Sequence, residues 1–242
     1  MTPTSSDFVN IWVYLSTQPL LWLTATLVTY LIGEAVSRRL NRNPLANPVV
    51  IASAILAVIL VGTRTPYAEY FEGAQFVHFM LGPATVALAI PLYQNLGKVR
   101  RALLPMAIAL AAGAITAAST AVGIAWLLGA PPELLASMAP KSVTAPIAMD
   151  LAKSLGGIPS VAALMVAITG ISGALMATPL LNALRVKNYA ARGFAAGVTS
   201  HGLGTARAFQ VSELAGTFAG IAMGLNGALT SLIVLFWLML AN

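Results

Sequence analysis

Lys141, Asp150, His201 and Arg207 stand apart from the charged clusters of this chain, each inside one of two short polar runs set in apolar sequence. MAPKSVTAPIAMD (residues 138–150) carries Lys141 between Pro140 and Pro146, with Ser142 and Thr144 close by. GVTSHGLGTAR (197–207) carries Thr199, Ser200, His201, Thr205 and Arg207 on a backbone loosened by Gly202 and Gly204. The chemistry these types favour is the holding of an anion. The prolines withhold amide donors and free nearby carbonyls, to which the Ser142 and Thr144 hydroxyls can bond, while Lys141 sets a cation beside the opening. In the second run glycine lets a ligand approach the backbone. A helix starting there would direct its N-terminal amides inward. Arg207 suits a bidentate grip on a carboxylate, and His201 suits ligand binding or proton relay. Plainer roles exist for each: Lys141 snorkelling to a headgroup above kinking prolines, a satisfied structural His201, and Arg207 held by Glu213 or headgroups.

Other polar residues point to structure first. Asp150 is placed to pair with Lys153 at i+3, although it also qualifies with His201 as a proton- or ion-coupling group. Glu34 is placed to pair with Arg38 at i+4. His78 reads as interfacial, and Asn226 in GLNGAL as an interhelical hydrogen bond or a cavity-lining side chain. There is no cysteine, which excludes thiolate metal sites and disulfides. HEXXH, GxSxG, Walker-type loops and paired metal-binding carboxylates are all missing from the sequence, so no enzyme, metal site or cofactor is expected.

The elements that must carry these runs are membrane helices. Of the 242 residues 58% are hydrophobic and only 8% charged, with a mean hydropathy of +0.85, against about a quarter charged in soluble domains. The net charge of +6 comes from clusters beside apolar spans (Arg38, Arg39, Arg42; Lys98, Arg100, Arg101; Arg185, Lys187, Arg192). That distribution marks inward-facing loops and leaves no case for nucleic acid. Charge-free windows at 8–33, 43–63, 73–97, 102–132, 154–184 and 214–242 each reach the roughly 20 residues a crossing needs. The N-terminus lacks the basic start of a cleavable signal, so the first window is expected to stay as a helix.

With the basic clusters on one side, residues 138–150 are favoured to dip in and return; a full crossing would put Arg185, Lys187 and Arg192 on the other side. LGPATVALAIPL (81–92) aligns with MAPKSVTAPIAM (138–149), and GISGALMA (170–177) with GLNGALTS (224–231). These matches suggest repeat-like units at 76–130, 132–186 and 193–240 within one transmembrane domain over 1–242. Inverted repeats of broken helices are the pattern of secondary transporters.

PKSVTAPIA with the following GGIP (156–159), ARGFAAGVTSHGLGTARA (191–208) and LGPATVALAIPLY together resemble the LrgB/CidB family of bacterial membrane proteins, YohK-like members included. The plastid glycolate/glycerate translocator carries a related domain. The resemblance runs from about Pro44 to the C-terminus. It carries over the first motif (Pro140, Lys141, Ser142, Thr144, Pro146) and the second (Ser200, His201, Gly202, Gly204, Thr205, Arg207), and does not extend to Asp150. It implies a multi-pass inner-membrane protein working with a smaller LrgA-like membrane partner, and either a holin/antiholin role in murein hydrolase export or the carriage of small monocarboxylates.

The fold expectation is therefore an all-α integral membrane protein, a bundle of about six to eight spanning or half-spanning elements with two broken or re-entrant helices in inverted repeats. The functional expectation is a homo-oligomeric secondary transporter of a small carboxylate anion (glycolate, glycerate, lactate or pyruvate type). A holin/antiholin-like membrane protein is the alternative.

Overall fold

The computed structural model describes residues 19–43, 46–80, 83, 86–87 and 89–241. The first eighteen residues of the chain, and part of the 81–92 block used in the repeat alignment, lie outside the described residues. The described residues are all-helical apart from turns. Two compact units result, Met1–Ala87 and Leu88–Asn242.

In the first unit α1 (Pro19–Arg39), α2 (Pro48–Thr63) and α3 (Tyr67–Phe79) pack together. Asn47 starts α2, its Oδ1 accepting from Val49 N at 2.9 Å, with Pro48 in the first turn where a missing amide costs nothing. Trp22, 1% exposed, meets Tyr70 edge-on at 5.9 Å. Glu34 pairs with Arg38 at 3.5 Å as the i+4 spacing foretells, and with Arg42 at 3.3 Å.

The second unit contains α4 (Ala89–Gln94), α5 (Leu96–Arg101), α6 (Leu103–Leu127), α7 (Pro132–Met138), α8 (Ala145–Ser154), α9 (Pro159–Ala183), α10 (Tyr189–Val211) and α11 (Glu213–Ala241). Among the described residues four helices are long and apolar enough to cross a membrane: α1, α6, α9 and Glu213–Phe236 of α11. The outward stripe Leu104, Ile108 and Ile115 of α6 is 72%, 62% and 61% exposed; apolar side chains at helical spacing on an outer face suit lipid. Two charge-free windows differ from the helices found. The 43–63 window yields α2, 16 residues long, about 24 Å at 1.5 Å per residue, because Asn47 caps it late. The 73–97 window is divided between α3, which begins earlier at Tyr67, and α4.

Both polar runs are hairpins that enter and return. α7 and α8 have 7 and 10 residues, each too short for the roughly 30 Å hydrocarbon core. Pro140 cannot continue α7, and Thr144 stands at the N-cap position of α8. The chain that leaves Ser137 comes back to it, since Ile158 N donates to Ser137 Oγ at 2.7 Å.

α10 consists of two helical limbs that turn on His201, whose φ of 40° and ψ of −127° are non-helical. Gly204 lies against Ala196 and Ser200; eight residues along a straight helix would hold them about 12 Å apart. Gly193 and Gly197 touch Ala215 and Ala219 in the same chain order, so the ingoing limb runs parallel to α11. Thr205 faces Met223 and Phe209 faces Gly216 in reverse order, so the outgoing limb runs back.

The hairpins come from opposite ends of this unit. The core of Val99, Met106, Phe194, Val198 and Phe218 holds α5 and the start of α6 beside the ingoing limb of α10. The basic clusters of Lys98–Arg101 and Arg185–Arg192 therefore share one end, as the re-entrant reading of 138–150 requires. The α7–α8 hairpin follows the far end of α6. In a bilayer such packing is driven by close contact of small residues more than by water exclusion, which is why Gly193 and Gly197 lie under Ala215 and Ala219.

Candidate functional site

Asn226, near the middle of the 29-residue α11, joins the two hairpin tips. Its Nδ2 donates to Ser142 O at 2.9 Å and to Val198 O at 3.2 Å. Both partners only accept, so the amide nitrogen must be the atom facing them. Asn226 is 1% exposed, and its Oδ1 has no hydrogen-bond partner among the described residues. The first helical turn of α8 and that of the outgoing limb both begin at these tips, so two helix N-termini, the positive ends of their dipoles, point into the middle of the unit.

A cavity of about 280 Å³ opens beside the tips, its polar lining made of Lys141, Ser142, Thr169, Ser172 and Thr199. Lys141 Nζ donates to Ser142 Oγ at 3.2 Å. Thr199 Oγ1 donates to Ala195 O at 2.8 Å and lies 3.2 Å from Ser200 Oγ. The Lys141 ammonium and the Ser142 and Thr169 hydroxyls can meet one small anion there, whereas the Ser172 and Thr199 hydroxyls already donate to Ile168 O and Ala195 O, and Met176, Leu180 and Leu181 make much of the remaining wall apolar. A second cavity of about 300 Å³ lies across Ser142, lined also by Ser119, Pro140, Asn226 and Thr230.

Several expected site residues serve the turn instead of the cavity. His201 is buried, and its Nε2 donates to Val166 O at 3.0 Å. A residue with φ above zero and a side chain costs of order 1–3 kcal/mol, and this bond to α9 helps hold it. Thr205 Oγ1 donates to His201 O at 2.8 Å. Ser200 is fully buried on Gly173, Gly204 is packed under Ala196, and Gly202 is exposed at the tip. Thr144 makes no side-chain cap bond, and Pro146 sits in the first turn of α8.

Two residues stand elsewhere than the motif suggested. Asp150 is exposed on α8 and forms no ion pair with Lys153, since α8 buries the opposite face, Ala148 and Ala152. Arg207 does not line the Lys141 cavity. The outgoing limb carries it back toward the basic end, where Nη1 donates to Gln210 Oε1 at 3.1 Å and the side chain shares a narrow pocket with Arg192. Thr169, Ser172 and Arg192 escaped the motif reading. Polar residues inside an apolar helix were the only signal for the first two, and Ser172 has an ordinary i−4 bond to Ile168 O that masks any other role.

Residues 26–240 match the LrgB-like family. YwbG, an uncharacterised protein of Bacillus subtilis, is 35% identical over 210 residues, covering 86% of this chain and 92% of its own. The holin-like protein CidB of Staphylococcus epidermidis is 28% identical over 217 residues, 90% of this chain and 94% of its own. The antiholin-like protein LrgB of Bacillus cereus is 28% identical over 216 residues, 89% and 94% respectively. No solved structure matches. By this match, and by the apolar helices already described, the chain belongs to the LrgB-like family and is an all-α membrane protein.

Proposed function

We propose that the chain is a secondary transporter of small monocarboxylates of the glycolate, glycerate, lactate or pyruvate type, in a bacterial inner membrane. The observation that carries this reading is the meeting of two hairpins from opposite ends at Asn226, beside the Lys141 cavity. Each hairpin is followed by a membrane-length helix, α9 and α11, running in opposite directions. Inverted repeats of this kind place substrate between broken elements near the bilayer midplane. A cavity of about 280 Å³ is at the small end of ligand sites and admits a two- or three-carbon acid together with several waters.

A second reading, a holin- or antiholin-like membrane protein, is favoured by the names of two relatives. Vesicles containing the purified protein separate the two. A transporter takes up labelled glycolate, lactate or pyruvate with saturation and retains a large fluorescent dextran; a pore former leaks both without saturation. Uptake that appears only when an LrgA-like protein is added would make this chain one half of the carrier.

A further inference from the structure

A groove of about 420 Å³ lies between α6 and the ingoing limb of α10. Its lining on α6 runs from Ala102 to Gly113, a rise of roughly 16 Å at 1.5 Å per residue. That is half of the roughly 30 Å hydrocarbon core, the depth of one leaflet. Gly113 marks the inner end, where a carbon added to it would stand 3.0 Å from the Val198 side chain. The other end is the basic one, since Ala102 follows Arg101 and Asn188 follows Lys187. Met106, Phe194, Val198 and Phe218 are buried beneath the groove, and Pro105 and Ala109 are exposed along it. Among the described residues two polar side chains line it, and both are engaged. Thr199 donates to Ala195 O, and Asn188 Oδ1 accepts from Ala190 N and Ala191 N. The charge is at the lip: Arg100, Arg101 and Lys187 are exposed, and none is in an ion pair among the described residues. Glu213, at the start of α11, is the one acid among the described residues of the unit at that end.

We propose that this groove holds one acyl chain of an anionic glycerophospholipid from the basic-side leaflet, with the lipid phosphate at Arg101 and Lys187. An apolar, leaflet-deep slot with cations at its outer end matches such a lipid in length and in charge. An acyl chain gains nothing from water exclusion when it leaves lipid for a protein groove. The groove therefore supplies the fit, and the cations supply the choice of headgroup. Each basic side chain near a membrane surface favours an anionic lipid roughly 5-fold. Ala195 and Thr199 line both the groove and the Lys141 cavity, so the bound chain backs the stretch of α10 that walls the cavity. The inference stands whether or not that cavity carries a carboxylate.

Photolabelling of the full chain in phosphatidylcholine vesicles tests this. The vesicles carry a trace of phosphatidylglycerol or of phosphatidylcholine with a diazirine at the same place on the acyl chain. Label on residues 190–199, the groove wall of α10, is read by peptide mass spectrometry and normalised to the label on the whole chain. The phosphatidylglycerol probe is expected to label this wall roughly 5-fold more than the phosphatidylcholine probe, or better. Arg101→Gln combined with Lys187→Gln is expected to remove most of that preference. Ala109→Leu, which fills the groove and leaves every charge in place, is expected to do the same; Ala191→Leu on the opposite wall is the second variant should it fail to fold. Equal labelling by the two probes, or a preference that the paired charge variant leaves unchanged, overturns the site. A preference unchanged in a folded groove-filling variant puts the headgroup on the surface with no chain in the groove, and also overturns it. No label on 190–199 from either probe means that protein covers the groove, a second copy or another chain, and overturns it as well.

Discussion

Asn226 carries more than its size suggests, because one amide closes two carbonyls that broken helices leave open. Replacing it with leucine removes both donors at a position that is 1% exposed. Interhelical hydrogen bonds in membranes average about 0.6 kcal/mol and reach about 1.7, so Asn226→Leu is expected to cost roughly 1–3 kcal/mol for the two. Asn226→Asp is expected to cost more, since it turns acceptors toward Ser142 O and Val198 O. Equilibrium unfolding in mixed micelles measures both, and an unchanged midpoint in either variant would contradict the tie. At this scale the sequence was informative wherever a residue type forces geometry. Pro140 and Gly202 marked the breaks, and Lys141 with Ser142 marked a cavity wall. It was silent on Arg207, whose location depends on which way the limb turns at His201, and a φ of 40° at a histidine has no signature in residue type.

Helix packing supplies the next level of test. Gly193 and Gly197 let the ingoing limb lie directly on Ala215 and Ala219, and a methyl group at either would push α10 from α11. Gly197→Ala is expected to lose about 1–3 kcal/mol by overpacking. Gly123→Ala, where the added carbon meets nothing within 4 Å, is expected to be neutral or to stabilise by up to about 1 kcal/mol. Thermal unfolding in detergent compares the pair, and equal effects would remove the close approach. The direction of the first hairpin is testable with single cysteines. Glu133→Cys and Ser154→Cys, at its two feet, are expected to react with an impermeant reagent from one side, and Arg101→Cys and Lys187→Cys from the other. Labelling of Glu133→Cys and Ser154→Cys from opposite sides would make 138–150 a crossing. The basic clusters made the re-entrant reading legible beforehand. The split of the 73–97 window was not legible, because an absence of charge says nothing about where a helix ends.

At the largest scale, the second unit brings two hairpins from opposite ends to one amide, the arrangement that the proposed alternating access would use. The membrane class was plain from composition, whereas the proposed cargo rests on the cavity's own chemistry, where Lys141 is the sole cation among the described residues that line it. The most direct measurement is calorimetric titration of the purified protein with glycolate, lactate and pyruvate, alongside Lys141→Ala and the exposed Lys153→Ala. Saturable binding of at least one acid is expected in the parent chain and in Lys153→Ala, with affinity lowered about tenfold or more in Lys141→Ala, as loss of a charge-assisted hydrogen bond of roughly 1.5–3 kcal/mol implies. Equal binding by Lys141→Ala and the parent, or no binding of any of the three acids, would contradict an anion site between the hairpins.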